Sequence, residues 1–247
     1  MQLEDKSVLI TGADSGIGKA VALLFAKEGA NIAIAYHSDE EGAKKVMNEI
    51  IAKGRKSIIV QGDVNDSNFC KEAVEKTVST FGKLDILINN AGTQFPSDNI
   101  ENLDEENIRT TFNSNIIGMI LMTKAAFPHL KKGGSVLNTT SATAYQGHEE
   151  LLDYSATKGA IVSFTRSLAL QAKQKGIRVN AVAPGPVATP LTEKTFGDEE
   201  EDDSKPPLER NATEEEIAPS YLFLASGQAA QITGQVLHPN GGIIISG

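Results

Sequence analysis

The sequence predicts an α/β fold in which one parallel, doubly wound sheet carries helices on both faces. Short apolar runs rich in β-branched residues alternate with longer segments of helical period along nearly all of the 247 residues. A glycine-rich turn follows the first of these runs. Strands that are separated by helices of this length pair in parallel. This length also suits one large domain, so we expect residues 1–247 to form a single domain.

The first elements form a strand, a glycine turn and a helix. Ser7–Thr11 is an apolar run typical of a buried parallel strand, and it leads directly into residues 12–18. The helix that follows is predicted to end at Gly29. Asn31–Tyr36 then supplies the second strand of a βαβ unit. The apolar residues that recur at helical spacing in this helix are Ile17, Ala20, Val21, Leu24 and Phe25.

The same alternation predicts the remaining elements. Further strands are expected at residues 57–60, 84–88, 135–140, 177–183 and 235–238. One helix is expected with Val46, Met47, Ile50 and Ile51 on one face, a second begins at about Ser67, and a third covers roughly residues 104–130. A fourth helix carries Tyr154 and Lys158 and ends near Gly176. A fifth begins at a Thr213 capping box and continues through Leu224. Pro219 should kink or loosen the first turns of the last of these helices.

The segment 185–212 departs from this pattern. It is rich in proline, threonine and acidic residues and has no sustained period, which predicts a lid over the substrate rather than a regular element. An acidic run occupies residues 198–203. We interpret this run as a solvated loop, although its charge could also disfavour anionic substrates.

Composition excludes several classes of function. The net charge of −9, with no stripe of basic residues, argues against nucleic-acid binding. The four histidines are scattered without metal-ligand spacing, so no catalytic metal is expected. The single cysteine, Cys70, suits a reducing compartment. No signal peptide or apolar stretch of membrane-spanning length is seen, so we expect a cytoplasmic protein with no membrane partner.

The glycine turn predicts a dinucleotide site. Gly12, Gly16 and Gly18 lie between the first strand and its helix, where the backbone can approach a pyrophosphate and the helix N–H groups face it. The spacing differs from the commoner G-x-G-x-x-G. It is not a Walker phosphate loop, because Ala13 replaces a glycine and Ala20 lacks the hydroxyl for magnesium. Its place in the first βα turn favours a dinucleotide.

The end of the second strand bears on which dinucleotide is bound. An acid here would bind the ribose hydroxyls, whereas donors or basic residues would accommodate a 2′-phosphate. The residues are Tyr36, His37 and Ser38, with Asp39 following at once. This pattern favours NADP(H) over NAD(H).

Tyr154 and Lys158 are the candidate acid–base pair. A spacing of four residues places both side chains on one helix face. A fixed ammonium stabilises a phenolate, so Lys158 would lower the pKa of Tyr154 and suit it to proton transfer. This spacing is also common on ordinary helix surfaces, so its meaning depends on the rest of the chain.

Several motifs occur together in a fixed order. They are Thr11-Gly12-x-x-x-Gly16-Ile17-Gly18, Asp63-Val64, Asn89-Asn90-Ala91-Gly92, Asn115, Ser141 with Tyr154 and Lys158, and Pro184-Gly185 with Thr189. With these motifs, the chain resembles the short-chain dehydrogenase/reductase family over essentially its whole length, in the single-domain branch of roughly 250 residues. The resemblance implies a Rossmann-type domain.

The resemblance also implies a reaction and its residues. The expected activity is NAD(P)-dependent hydride transfer between the nicotinamide and a carbonyl or secondary alcohol of unspecified identity. Tyr154 would exchange the proton as general acid or base, and Ser141 would hydrogen-bond the substrate oxygen. Lys158 would bind the nicotinamide ribose, and Asn115 would position a water that links Lys158 to solvent. These four residues form the implied catalytic set.

The implied cofactor site draws on the ends of several strands. Asp63 and Val64 would contact the adenine, and Val187 and Thr189 would hold the nicotinamide carboxamide. The complete implied set comprises Gly12, Asp14, Ser15, Gly16, Ile17, Gly18, Tyr36, His37, Ser38, Asp63, Val64, Asn90, Ala91, Gly92, Tyr154, Lys158, Pro184, Gly185, Val187 and Thr189.

Two departures from the family pattern and one alternative function stay open. Asn240 stands where an aspartate often precedes the paired glycines, and residues 211–212 replace a more usual basic residue or glycine followed by proline. A catalytically silent dinucleotide sensor or scaffold is the alternative, although such a protein would not need Ser141, Tyr154 and Lys158 together. A homotetramer, formed through the helices that carry Asn115 and Tyr154, is expected by analogy. The substrate pocket is expected to include Thr143, Gln146 and His148 beside the lid.

Overall fold

A computed structural model of the chain describes residues 1–196 and 206–245. It confirms the predicted α/β fold. Seven parallel strands form one sheet: β1 Ser7–Thr11, β2 Asn31–Tyr36, β3 Ser57–Gln61, β4 Ile86–Asn89, β5 Ser135–Thr139, β6 Arg178–Val182 and β7 Val236–Leu237. The nine α-helices in the described ranges are α1 Gly16–Lys27, α2 Glu40–Ala52, α3 Ser67–Phe81, α4 Glu105–Phe112, α5 Met119–Ala126, α6 Thr143–Gln146, α7 Leu152–Ala172, α8 Pro190–Phe196 and α9 Glu214–Ala225.

The strand order is β3-β2-β1-β4-β5-β6-β7. Leu9 in the centre of β1 pairs with Ala33 of β2 on one side and with Leu87 of β4 on the other. The chain therefore winds outwards in opposite directions from the junction of β1 and β4. In open parallel sheets such a reversal leaves a crevice at the carboxyl ends of the strands, where ligands bind.

Each face of the sheet is covered by its own core. Val8 and Ile10 of β1 point to one face, where they belong to the cluster that includes residues of α1, α2 and α9. Leu9 points to the other face, where the cluster includes residues of α3, α5 and α7. Because successive side chains of β1 point to opposite faces of the sheet, this one strand contributes residues to both cores, as expected for a doubly wound sheet.

Three details differ from the sequence expectations. The long helix expected over roughly 104–130 is divided by a π-helical segment, Asn113–Gly118, and α5 ends at Ala126. The short helix α8 lies inside the segment expected to lack regular structure. Ile51, placed on the buried face of α2, is 50% exposed, because the buried stripe follows Ala43, Val46 and Ile50.

Other expectations can be compared directly with the described residues. Pro219 is accommodated within a helix that runs without interruption from Glu214 to Ala225. Cys70 is buried, and burial raises the pKa of its thiol to about 11. None of the helices in the described ranges is both long and apolar enough to cross a membrane. Within the same residues, no group of three or more His, Cys, Asp or Glu side chains is arranged to hold a metal ion. The acidic run 198–203 lies outside the described residues.

Candidate active site

The carboxyl edge of the sheet collects every segment that the sequence singled out. The glycine turn follows β1, the segment 36–38 ends β2, and Asp63 and Val64 follow β3. Residues 90–92 follow β4, Ser141 follows β5, and the segment 184–189 follows β6. Because all these strands run in parallel, their ends meet along one edge. Sequence spacing alone could not show this proximity.

The glycine turn is closely packed against the loop after β4. Gly12 has a φ of +63°, and a Cβ there would lie 3.0 Å from the Cα of Ala91. A Cβ on Gly18 would collide with the backbone oxygen of Gly12. Only glycine fits both positions without displacement of the backbone.

Hydrogen bonds join these two loops into one unit. Asn90 Nδ2 donates to the backbone oxygens of Gly12 at 2.9 Å and Thr11 at 3.2 Å. The Thr11 hydroxyl oxygen accepts the N–H groups of Asn90 and Ala91, both at 3.0 Å. The side chain of Thr11 therefore has a structural role that its position in the motif did not reveal.

A cavity of about 370 Å³ opens beside the start of α1. Its lining residues are Asp14, Ser15, Gly16, Lys19, Gly42, Lys45, Val46, Ala188, Pro190, Glu193 and Glu214. Ser15 at the helix N-cap makes no side-chain capping bond, so that hydroxyl leaves the first-turn N–H groups open to an anion. A dinucleotide's phosphates fit this arrangement.

Charges of both signs line the cavity. Lys19 and Lys45 supply cations that the sequence analysis did not single out. Three carboxylates, those of Asp14, Glu193 and Glu214, line the same cavity. Burial raises the pKa of Asp14 and of Glu214, and the nearby Lys19 partly counteracts this rise for Glu214. An anionic ligand would therefore meet the two lysines and the helix N–H groups, in a cavity that is also lined by carboxylates.

Lys158 is the most buried cation of the site. Its side chain belongs to a residue that is only 3% exposed, and Nζ donates to the backbone oxygen of Thr139 at 3.0 Å. The Thr140 hydroxyl donates to the backbone oxygen of Lys158 at 2.7 Å, which ties α7 to the end of β5. Burial lowers the pKa of Lys158 to about 8. The ammonium is thus held by the strand that leads to Ser141.

Tyr154 lies beside both Ser141 and Lys158. Lys158 Nζ is 5.1 Å from the centroid of the Tyr154 ring. Burial raises the pKa of Tyr154 to about 12, and hydrogen bonding with Ser141 partly opposes this rise. This differs from the expectation that Lys158 lowers the pKa of Tyr154, because desolvation is the dominant effect in the chain by itself. The phenol therefore keeps its proton at neutral pH.

Asn115 makes hydrogen bonds to two other segments of the protein. It lies in the π-helical segment, and its Oδ1 accepts the N–H of Thr93 at 2.8 Å. Its Nδ2 donates to the backbone oxygen of Thr93 at 2.9 Å and to the Thr157 hydroxyl at 3.1 Å. Both amide protons are thus used within the protein. The side chain therefore joins the loop after β4 to α7.

The segment after β6 is fixed by side chains that the sequence analysis missed. The Thr192 hydroxyl accepts the N–H of Thr189 and donates to the Val187 oxygen, each at 2.9 Å. Gln94 Nε2 donates to the Thr195 hydroxyl of α8 at 3.0 Å. The start of the expected lid is therefore bonded both to itself and to the loop after β4.

The two departures from the family pattern also have visible contacts. Asn240 Nδ2 donates to the Ile243 oxygen at 2.8 Å, and its Oδ1 accepts the N–H of Gly242 at 3.1 Å. Ala212 forms a parallel bridge with Val187, which brings the two ends of the segment 187–212 together. Thr143 and Gln146 lie on α6, and His148 Nδ1 accepts the N–H of Glu150 at 3.2 Å.

Comparisons with known proteins point to one group. The family model described as enoyl-(acyl carrier protein) reductase matches residues 12–244. The uncharacterized oxidoreductase YhxC of Bacillus subtilis is 49% identical over 248 residues, which are 100% of this chain and 87% of that protein. The NADPH-dependent aldehyde reductase 1 of Arabidopsis thaliana, a chloroplastic protein, is 44% identical over 254 residues, covering 99% of this chain and 88% of that one.

A solved structure shares the whole architecture. The short chain dehydrogenase from Burkholderia cenocepacia in complex with NADP superposes with a TM-score of 0.93 at 32% identity. The superposition covers 98% of this chain and 99% of that chain. The likeness therefore extends over the sheet, both helical layers and the edge where the site residues meet.

Proposed function

Because the chain belongs to the short-chain dehydrogenase/reductase family and is an NAD(P)-dependent oxidoreductase, we propose that it reduces aldehydes or ketones with Tyr154 as proton donor. The observation that carries this proposal is the meeting of Ser141, Tyr154 and Lys158 at one point of the carboxyl edge. A phenol beside a second hydroxyl and a buried ammonium suits the proton-transfer half of carbonyl reduction. The raised pKa of Tyr154 keeps the phenol protonated at neutral pH, which is the form that a proton donor requires.

Each residue of the site has its own role in the proposed reaction. When bound, the nicotinamide supplies or accepts the hydride. Ser141 and Tyr154 bind the substrate oxygen, and the Tyr154 proton passes to that oxygen as its negative charge develops. The Lys158 ammonium has three N–H donors, and one of them donates to the Thr139 backbone oxygen. The other two can donate to the ribose hydroxyls and towards Tyr154. Below a pH of about 8 the charge of Lys158 also stabilises the phenolate that forms.

Replacement of Tyr154 by phenylalanine tests the proposed role. The change removes only the hydroxyl, so cofactor affinity should stay within about twofold of the wild type while turnover falls by roughly 10²- to 10⁴-fold. Turnover would be measured against a panel of aldehydes and ketones, and cofactor binding by nicotinamide fluorescence. Undiminished turnover in Tyr154→Phe would refute the role of Tyr154. A wild-type protein that binds cofactor yet reduces no member of the panel would favour the silent sensor.

We further propose NADPH as the preferred cofactor. Asp39 Oδ1 accepts the N–H of Gly42 at 2.9 Å, so the acid nearest the end of β2 is directed to the start of α2. His37 and Ser38 remain exposed at the strand end, and Lys45 of α2 lines the adjoining cavity. The relative in Arabidopsis thaliana whose name states NADPH and aldehydes supports the same assignment and the aldehyde class.

The adjacent lysines of α2 provide a matched test. Lys45→Met should raise the dissociation constant for NADPH by roughly fivefold, because one partly screened charge contributes about 1 kcal/mol, and should raise that for NADH less, because NADH lacks the 2′-phosphate. Lys44→Met is the control, since Lys44 is exposed and pairs with Glu40 at 2.8 Å. Titration with both cofactors decides the question. Equal affinities for NADPH and NADH in the wild type would contradict the preference.

Three further expectations belong to this proposal. The segment 185–212 would serve as the substrate lid of a single-domain enzyme. A homotetramer is proposed through the helical layer of α4, α5 and α7, since Phe112, Ile117 and Ile120 are 38%, 47% and 36% exposed. Light scattering tests the tetramer, and a monomeric mass would exclude it. The single cysteine supports a cytoplasmic location, which a fluorescent fusion would test.

A further inference from the structure

Tyr221 on α9 lies outside the catalytic set but is bonded to it. We propose that Tyr221 is a positioning residue, which holds Lys158 in place through Thr139. The proposal rests on the roles proposed above for Tyr154 and Lys158. It adds a residue from α9, which is the last α-helix in the described residues and packs on the face of the sheet opposite α7.

The contact between Tyr221 and Thr139 is short and completely enclosed. Tyr221 is 0% exposed, and its hydroxyl oxygen lies 2.7 Å from the Thr139 hydroxyl oxygen. Thr139 is the last residue of β5, and its backbone oxygen is the acceptor for Lys158 Nζ at 3.0 Å. Thr139 thus bonds to Tyr221 through its side chain and to Lys158 through its backbone oxygen.

The neighbouring bonds favour one direction for this contact. Asn90 Nδ2 donates to the backbone oxygens of Thr11 and Gly12, so its Oδ1 is turned towards Thr139. The Thr139 hydroxyl donates to that Oδ1 across 3.5 Å. Either hydroxyl could donate across the shorter contact, and we assign the donor role to Tyr221 because the Thr139 proton has this second acceptor in Asn90.

The chain of donors connects three parts of the site. It runs from Tyr221 to Thr139, from Thr139 to Asn90, and from Asn90 to the glycine turn at Gly12. Ser141 follows Thr139 by two residues. A displacement of Thr139 would therefore move the acceptor of Lys158, the start of the Ser141 segment and a support of the glycine turn together.

The Tyr221 hydroxyl keeps its role as hydrogen-bond donor when the pH changes. Burial, with the nearby Tyr154 as a smaller contribution, raises the pKa of Tyr221, and the Thr139 bond only partly opposes this. The Tyr221 hydroxyl stays protonated wherever the enzyme works and remains a donor. A phenol is more rigid than a serine or lysine side chain, which suits a fixed support.

Tyr221→Phe removes the donor and keeps the ring. We expect kcat to fall on the order of tenfold, since small displacements of catalytic groups have large effects on rate, with KM for the carbonyl substrate within about twofold. Thr77→Val is the matched control. The Thr77 hydroxyl is also fully buried and also makes a bond of 2.7 Å, to the Ala73 oxygen on α3, away from the site. It should lower the melting temperature to a similar extent and leave kcat unchanged.

Variants at Thr139 show whether Tyr221 acts through that residue. Thr139→Val should reproduce the fall in kcat, and Thr139→Ser, which keeps the hydroxyl, should restore most of it. In the double variant Tyr221→Phe with Thr139→Val, the loss should be about that of one single change, because both remove the same bond. Should Tyr221→Phe fold poorly, the comparison of the two Thr139 variants still decides the matter.

The outcomes separate this proposal from the proposed function. Wild-type kcat in Tyr221→Phe, a double loss equal to the product of the single losses, or no rescue by Thr139→Ser would each overturn the role of Tyr221. Turnover retained in Tyr154→Phe would overturn the proposed function itself. Loss of turnover in Tyr154→Phe together with normal Tyr221→Phe would overturn the positioning role alone.

Discussion

At the scale of single residues, the site is built around buried groups whose chemistry depends on position. The motifs predicted Ser141, Tyr154 and Lys158 as a catalytic set, and the structure places Tyr154 beside both of the others. They could not reveal that Nζ of Lys158 is bonded to the Thr139 backbone, because the bond joins residues 19 positions apart on different elements. The raised pKa of Tyr154 could not be read from the sequence either, since it follows from burial rather than from the neighbouring cation.

The burial of Lys158 predicts a conflict between stability and function. The pKa of Lys158 is lowered from 10.5 to about 8. Below that pH the folded protein buries a charged lysine, which reduces the free energy of unfolding. Lys158→Met should abolish turnover and stabilise the fold at pH 7 by about 1 to 3 kcal/mol. Between pH 8 and 10.5 the native lysine loses its proton before the unfolded one, so the wild type should approach the variant in stability.

Urea unfolding at pH 7 and pH 10 measures this difference. The gap in unfolding free energy should be larger at pH 7. A variant that is less stable than the wild type at pH 7, or a gap that does not change with pH, would contradict the assignment of a burial cost to Lys158.

Gly92 lies beside the amide of Asn115 and the ammonium of Lys158, where it leaves space that a larger residue would fill. A Cβ there would lie 3.0 Å from Asn115 Oδ1 and 3.6 Å from Lys158 Nζ. Gly92→Ala should therefore lower kcat by roughly tenfold with little change in stability. Gly159→Ala is the control, since a Cβ at Gly159, the residue after Lys158, would meet nothing within 4 Å. Steady-state kinetics of both variants tests the prediction, and wild-type activity in Gly92→Ala would disprove it.

At the scale of elements, helix α9 shows what local sequence can and cannot predict. The Thr213 signal correctly located its start, and Glu216 accepts the N–H of Thr213 at 2.9 Å. Arg210 binds the same carboxylate and lowers the pKa of Glu216 to about 2. The other end of the helix depends on a distant residue, Arg178 of β6, which no local pattern indicates.

Arg178 caps the carboxyl end of α9. Its guanidinium donates to the backbone oxygens of Leu224 at 2.5 Å, Ala225 at 3.1 Å and Ser226 at 3.2 Å. Arg178→Met should cost about 2 to 3 kcal/mol, because these terminal carbonyls lose a charged donor. Arg178→Lys keeps the charge without the planar fork and should lose about half as much. Thermal unfolding would rank the three proteins, and equal melting temperatures would contradict this cap.

The π-helical segment and α8 mark the limit of periodicity arguments. Apolar spacing predicted one long helix over roughly 104–130, and it could not indicate the wider turn at Asn113–Gly118, which adds no break to the apolar pattern. The seven residues of α8 are too few to establish a period, so the surrounding proline and threonine residues dominated the prediction.

At the scale of the whole molecule, the reversal of strand order decides where the chemistry lies. Alternating strands and helices predicted a parallel sheet but left the order of its strands open. The observed order places β1 and β4 at the centre, so Gly12 and Ala91 face each other at the junction. A site whose parts come from nearly every βα unit should also respond to a ligand as one body.

Cofactor binding should therefore stabilise the entire fold. NADPH at about 100 times its dissociation constant should contribute about 2.7 kcal/mol, or an increase of roughly 5 to 10 °C in the melting temperature. Differential scanning calorimetry should show one transition that moves as a unit. Two transitions, of which only one moves with NADPH, would contradict a single cooperative domain.

The bridge between Val187 and Ala212 has a practical consequence for redesign. The Ala188 N–H donates to the Ala212 oxygen at 3.1 Å, and the Ala212 N–H donates to the Pro186 oxygen at 2.9 Å. Both ends of the intervening stretch are thus anchored to the scaffold, and the free energy of closing a loop changes only slowly with its length. Segments of other lengths could be transplanted between the end of α8 and Ala212, so the rest of the proposed lid could be exchanged as a cassette while Val187, Thr189 and the cavity-lining Glu193 stay in place.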